Sequence, residues 1–202
     1  MTTLHRRKED MRSLTLVLFL GFLLTGCSGS KTPVPILKVG DKAPTPSLTD
    51  ATGHAFNLGD RQAGWYTVII FYRGSWCDTC ENWLLELKRS VSQFDEAHGA
   101  LAAVSCEAVE DSATFNTQWR FPFPLLSDGD FKLIDAYGFR DPKKGHHGED
   151  ISHVGVVIID PQGIIRYIYK GNEAWDHPKP DEIVFQLQQI EQQKNTPPGG
   201  AS

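Results

Sequence analysis

The sequence predicts an α/β fold, a three-layer sandwich with a mixed central sheet and flanking helices. Two observations carry that prediction. Residues 65–72 and 154–160 are continuous β-branched and aromatic runs, the pattern of strands buried on both faces, and helix-period segments lie between them. Residues 164–169 form a further such run, separated from the second by the Pro161-Gln162-Gly163 turn. That pair reads as a hairpin, and a hairpin imposes antiparallel pairing on a sheet that begins as strand, helix, strand.

The elements follow in order. Residues 39–58 read as an extended lead-in with a turn at Asp50-Ala51-Thr52-Gly53. Residues 65–72 should be the central strand. A helix is expected over about 77–97, with Trp83, Leu84, Leu87, Val91 and Phe94 at three- and four-residue spacings, closed by Gly99 in a left-handed conformation. Residues 100–105 form the next strand. A second helix is expected over about 110–119, and the prolines of 121–124 force an extended segment before a short edge strand at 125–127. A short helix over 131–137 ends at Gly138, and the polar stretch 141–152 reads as an exposed loop. After the hairpin, residues 180–193 carry Ile183, Val184, Leu187 and Ile190 on one helical face.

Length and charge narrow the function classes. A chain of 202 residues suits one core with a short appendage, since a single core commonly organises about 100–200 residues. The net charge of −5, without a basic run beyond the N-terminus, excludes the footprint of a nucleic-acid binder. At that N-terminus, His5, Arg6, Arg7, Lys8 and Arg12 precede an apolar run over 14–24, a secretory signal pattern shorter than the ~20 residues of a membrane-spanning helix. The run ends in Leu24-Thr25-Gly26-Cys27, which resembles the bacterial lipobox. The resemblance implies cleavage after Gly26 and lipidation of Cys27. The chain then divides into a signal peptide (1–26), a lipid-anchored tether (27–37), a folded domain (38–194) and a disordered tail (195–202). The expected location is the bacterial cell envelope, lipid-anchored and facing the periplasm or the outside.

Without Cys27, three cysteines remain outside the cytoplasm: Cys77, Cys80 and Cys106. One pair and one spare is the simplest arithmetic. Cys77-Asp78-Thr79-Cys80 directly follows the central strand and opens the longest helix. Three-residue spacing on a helix brings both side chains to one face, close enough for a disulfide. The N-terminus carries unpaired N–H groups and about half a positive charge, which lowers a thiol pKa from its free value near 8.5. Cys77 and Cys80 are therefore the candidate catalytic and redox-disulfide residues, and Arg73, Trp76 and Thr79 the candidate supports. An inert disulfide or half of a zinc site are the competing readings. Zinc usually wants four Cys or His ligands, and no second Cys-x-x-Cys exists. Cys106 reads as packing, His153 as a surface or packing residue, and Trp175-Asp176-His177-Pro178 has no assigned role.

The segment 71–80, Phe-Tyr-Arg-Gly-Ser-Trp-Cys-Asp-Thr-Cys, resembles the active-site segment of the peroxiredoxin-like alkyl hydroperoxide reductase and thiol-specific antioxidant family, within the thioredoxin-like superfamily. The opening Val39-Gly40-Asp41-Lys42-Ala43-Pro44, the later Phe123-Pro124-Leu125-Leu126-Ser127-Asp128 and the terminal hairpin are similar to further family segments, so the likeness spans about 39–169. It implies a thioredoxin-like fold, a peroxide or protein-disulfide substrate and an external thiol reductant; no cofactor or metal is expected. Two registers compete. Counted from Phe71, Cys80 falls at the peroxidatic position and Cys77 at a family Thr; counted from Trp76, Cys77 matches the nucleophilic first Cys of thioredoxins. Arg73 stands in place of the family Pro. Val154 stands where peroxiredoxins carry an activating Arg and thioredoxins a cis-Pro. The expected activity is peroxide reduction through Cys77 and Cys80; the alternatives are a thioredoxin-type disulfide reductase or oxidase, and a non-catalytic binding lipoprotein with a structural disulfide.

Overall fold

A computed structural model describes residues 36–60 and 63–195 of the chain. The expected signal segment, Cys27, most of the tether and the tail from 196 lie outside the described residues. The sheet is organised around β3 (Tyr66–Phe71), which is buried at every position, as its run of apolar and β-branched residues requires. β3 pairs in parallel with β4 (Gly99–Ser105) on one side and antiparallel with β8 (Gly155–Ile159) on the other. β8 continues into the hairpin partner β9 (Ile165–Lys170). Beyond β4 lie β5 (Leu125–Ser127), β1 (Ser47–Asp50) and β2 (Ala55–Asn57), giving the order β2-β1-β5-β4-β3-β8-β9. Parallel and antiparallel pairs share one sheet, as the hairpin requires.

Period-two alternation along the strands divides the core into two faces. Val68, Ile70, Ala103, Val156 and Ile158 face one apolar cluster. That cluster also holds Trp83, Leu84 and Leu87 of α1 (Asp78–Arg89), Phe94 of α2 (Val91–Glu96), Phe115 of α3 (Val109–Trp119), and Ile183 and Leu187 of α5 (Pro180–Asn195). Ile69, Phe71, Ala102, Val104, Val157 and Ile159 face the other, with Leu133 and Ile134 of α4 (Lys132–Ala136) and with Tyr137 and Phe139. The three layers follow directly from that alternation.

Several boundaries differ from expectation. The helix expected over 77–97 is two helices, because Ser90 leaves helical geometry at ψ 5° and its N–H is shared between the Glu86 and Leu87 carbonyls at 3.2 and 3.1 Å. The bend lets α2 follow the core surface and bury Phe94 fully. Gly99 does not cap that helix. His98 makes the left-handed turn, with φ 53°, and Gly99 is the first residue of β4. A Cβ on Gly99 would sit 2.6 Å from Leu187 Cδ1, so a side chain there would push the leucine tip of α5 aside. β5 is not an edge strand, since the β1–β2 hairpin adds antiparallel to its outer side. The loop expected over 141–152 is tied at its base, where β6 (Arg140–Asp141) pairs with β7 (Ile151–Ser152), both residues of β7 being buried.

Gly155 opens β8 where a Cβ would lie 2.5 Å from both Phe139 Cε2 and the Tyr169 carbonyl oxygen. Backbone cannot yield as a side-chain tip does, so Gly155→Ala should lower unfolding stability by roughly 1–3 kcal/mol in urea titration. Asp128 provides a pH-dependent counterpart. Its Oδ2 accepts the Leu133 and Ile134 N–H groups at 2.9 and 2.8 Å, satisfying the start of α4. Burial nevertheless pushes its carboxyl up to about 6 from 3.8. The folded state therefore holds this proton more tightly than the unfolded chain, and stability from this group falls as pH rises through about 4 to 6. In Asp128→Asn the urea midpoint should decline less than in wild type across that window; an identical decline would remove Asp128 as its source.

Candidate active site

The site begins where β3 stops. The Tyr72 N–H still bonds to the Val104 carbonyl at 3.0 Å, after which the chain turns through 73–76 and enters α1. Cys77 was expected to open that helix; it is instead the N-cap residue, with φ −94° and ψ 100°. Its Sγ accepts the Cys80 N–H at 3.2 Å, so sulfur takes the capping place normally filled by oxygen. The Cα atoms of Cys77 and Cys80 are 5.2 Å apart and the sulfurs lie at disulfide distance. Cys77 is 6% exposed and Cys80 is not exposed at all, so the capping residue is the more exposed of the pair.

Two of the candidate supports, Arg73 and Trp76, meet the 141–150 segment, most of which is exposed as expected. Arg73 lies with its guanidinium carbon 5.4 Å from the Trp76 ring centroid and donates from Nη2 to the Lys144 carbonyl at 3.0 Å. Trp76 packs on His146 at 4.6 Å between ring centroids. Thr79 is half-buried in the first turn of α1. Arg73 also shares a cavity of about 260 Å³ with His153 and the fully buried Val154. The cationic residue before the cysteines and the apolar residue before β8 thus meet in space. His153 sits 3.8 Å from an Asp141 oxygen, and burial holds its imidazole below the usual range despite that carboxylate.

Cys106 is half-buried, with its sulfur 3.7 Å from the Asp150 carbonyl. Burial pushes its thiol up to about 11, so it stays protonated at neutral pH and is a poor nucleophile. Among the described residues, no three His, Cys, Asp or Glu side chains gather in a metal-ligating group.

Two structural features of the site were missed in the sequence. The first is Glu107. Its carboxylate accepts the Ser75 N–H at 2.7 Å, the Tyr72 hydroxyl at 3.0 Å and the Ser112 hydroxyl at 3.2 Å. Burial, reinforced by the Glu107 charge, drives the Tyr72 phenol far above its ordinary range and keeps it a donor. The available signal was register: in a parallel β3–β4 pair, residue 107 emerges beside the turn that follows residue 72. The second is the segment 175–178, which braces α1. Trp83 donates from Nε1 to the Pro178 carbonyl at 3.0 Å and stacks on His177 at 4.3 Å, while Asp176 accepts the Tyr169 hydroxyl.

Comparison with known proteins bears on family and fold. The AhpC/TSA family model matches residues 39–168. Peroxiredoxin Bcp of Bacillus subtilis is 26% identical over 145 residues, covering 70% of this chain and 90% of that protein. Alkyl hydroperoxide reductase E of Mycobacterium tuberculosis is 27% identical over 134 residues, covering 65% and 84%. Among solved structures, peroxidoxin BcpB from Mycobacterium tuberculosis superposes with a TM-score of 0.67 at 22% identity, over 76% of this chain and 98% of that one, a likeness of fold. With a family match over most of its folded part and a cysteine pair at the start of the helix after the central strand, the chain belongs to the AhpC/TSA family of thioredoxin-fold, thiol-dependent oxidoreductases.

Proposed function

We propose that this chain is a lipid-anchored peroxidase of the bacterial cell envelope that reduces peroxides through the Cys77 and Cys80 dithiol. The observation that carries the proposal is the pair itself, one sulfur capping α1 and the other one turn inside it, in a member of a family whose relatives include a peroxiredoxin and an alkyl hydroperoxide reductase. A helix N-terminus favours the thiolate, which is the reactive form. One thiolate attacks the peroxide O–O bond, an alkoxide or hydroxide leaves and takes a proton, and the sulfur becomes a sulfenic acid. The second thiol attacks that sulfur, water departs, and the Cys77–Cys80 disulfide closes. Two electrons from an external dithiol then restore the reduced pair.

The family register assigns the first step to Cys80 and the second to Cys77. One observation favours a second reading: Cys77 is the more exposed residue of the pair, which suits a thioredoxin-type exchange with protein disulfides. Single Cys77→Ser and Cys80→Ser variants of the detergent-solubilised chain separate the two. Under the peroxidase reading, peroxide leaves a sulfenic acid on Cys80 of the Cys77 variant, found by dimedone trapping and mass spectrometry, and the double variant loses all thiol-dependent peroxide turnover. Mixed disulfides on Cys77 with protein substrates, without peroxide consumption, would replace it by the exchange reading. Turnover unchanged in the double variant would leave neither.

The anchor rests on the lipobox-like Leu24-Thr25-Gly26-Cys27. Cys27→Ser should abolish palmitate labelling in bacterial cells and move the protein out of detergent-extracted membranes. Labelling that survives the substitution would sink the lipoprotein assignment.

A further inference from the structure

Glu107 is the only carboxylate, among the described residues with recorded hydrogen bonds, that receives donors from the strand end, the turn before the cysteines and α3 together. All three partners donate, the demand an ionised carboxylate meets fully. Its backbone is fixed as well, because the Glu107 carbonyl accepts the Ser127 hydroxyl at 2.6 Å. The bond to the Ser75 N–H falls two residues before Cys77, and the Cys77 N–H is itself held by the Gly74 carbonyl at 3.2 Å. Glu107 thus grips the turn that sets where the capping sulfur lies.

We propose that Glu107 is the positioning residue of the thiol pair: it fixes the 73–76 turn through the Ser75 N–H and places a negative charge that offsets the pull of the α1 N-terminus on the Cys77 and Cys80 thiolates. This deepens the dithiol reading given above and rests on it for the reaction, though not for the thiol chemistry. The offset has a purpose. An attacking thiol works best with a pKa near ambient pH, because nucleophilicity falls along with pKa.

The other charges around Glu107 come from every neighbouring element. Arg73 of the turn, Asp111 of α3, and Glu149 and Asp150 of the 141–150 segment line one cavity of about 470 Å³ with it. Asp78 and Glu81 stand in the first turn of α1, and Asp128, with Glu107, acts on the adjacent Cys106. The basic member of the cavity, Arg73, is drawn toward the Lys144 carbonyl.

Two substitutions in the reduced full chain, solubilised in detergent, separate geometry from charge. Glu107→Gln can keep its carbonyl oxygen on the Ser75 N–H while its amide donates to the Tyr72 and Ser112 oxygens, which accept after their hydroxyls rotate. Glu107→Ala removes both anchor and charge. The readouts are the pH midpoint of iodoacetamide alkylation, assigned to Cys77 or Cys80 by mass spectrometry, and thiol-dependent hydrogen peroxide turnover. The expected result is an alkylation midpoint about half a unit or more lower in Glu107→Gln, since removing a nearby negative charge favours the thiolate. Turnover should fall by about tenfold or more in Glu107→Ala and be largely retained in Glu107→Gln, because misplacing a reacting group is costly. Wild-type turnover and midpoint in Glu107→Ala would overturn the proposal. So would an unmoved midpoint in Glu107→Gln with turnover as slow as in Glu107→Ala, which is the mark of packing alone. Alkylation needs no peroxide. A wild-type chain inert to peroxide would therefore defeat the peroxidase reading while the midpoint still decides the role of Glu107.

Discussion

The thiol site depends on where β3 ends. That strand is buried at all six positions and hydrogen-bonded on both sides, so a one-residue slip would exchange its two faces and put every core side chain in the wrong layer. Its register is therefore held by the whole core, and with it the point at which the chain leaves the sheet. Six residues after Phe71, Cys77 caps α1. The cysteine pair is thus placed by the apolar core, of which both residues are part.

The same register brings a second element to the site. Because β4 runs parallel to β3, both strands deliver their C-terminal ends to one edge of the sheet, and ligands and reactive groups commonly collect outside such ends. Glu107 and Cys106 arrive there from β4 and meet Tyr72, Arg73 and Ser75 from β3. The antiparallel strand β8 begins at the same edge, which brings Val154 and His153 next to Arg73. The chain lacks a guanidinium at Val154 and carries one at Arg73, and the fold places these two positions on one cavity wall. Below them Trp83 is clamped by His177 and Pro178, fixing the helix that Cys77 caps and Cys80 lies in.

The elements legible in the sequence were those with strong periodicity or strong local chemistry. β3, β8 and β9 appeared as apolar runs, α3 and α5 within one or two residues of their observed bounds, and the Cys-x-x-Cys at a strand-to-helix junction. The errors cluster where two distant segments meet. The break at Ser90 depends on how α2 lies against β4; the small side of Gly99 depends on Leu187, nearly ninety positions away in the chain. The inner position of β5 depends on a hairpin that precedes it by about seventy residues, and the closing of the 141–150 segment over Trp76 on a two-residue ladder too short to leave a pattern.

The amino-acid sequence by itself determined the fold class, the order of its elements and the location of the thiol pair, because burial periodicity and the spacing of two cysteines on a helix are local properties. Tertiary structure alone decided that Cys80 is the more enclosed residue of the pair, that Glu107 reaches the turn before the cysteines, and that the 175–178 segment braces α1. Each of those facts is a distance or an exposure between groups far apart in the chain. Such quantities exist only once the sheet has set its register and the helices have packed on it.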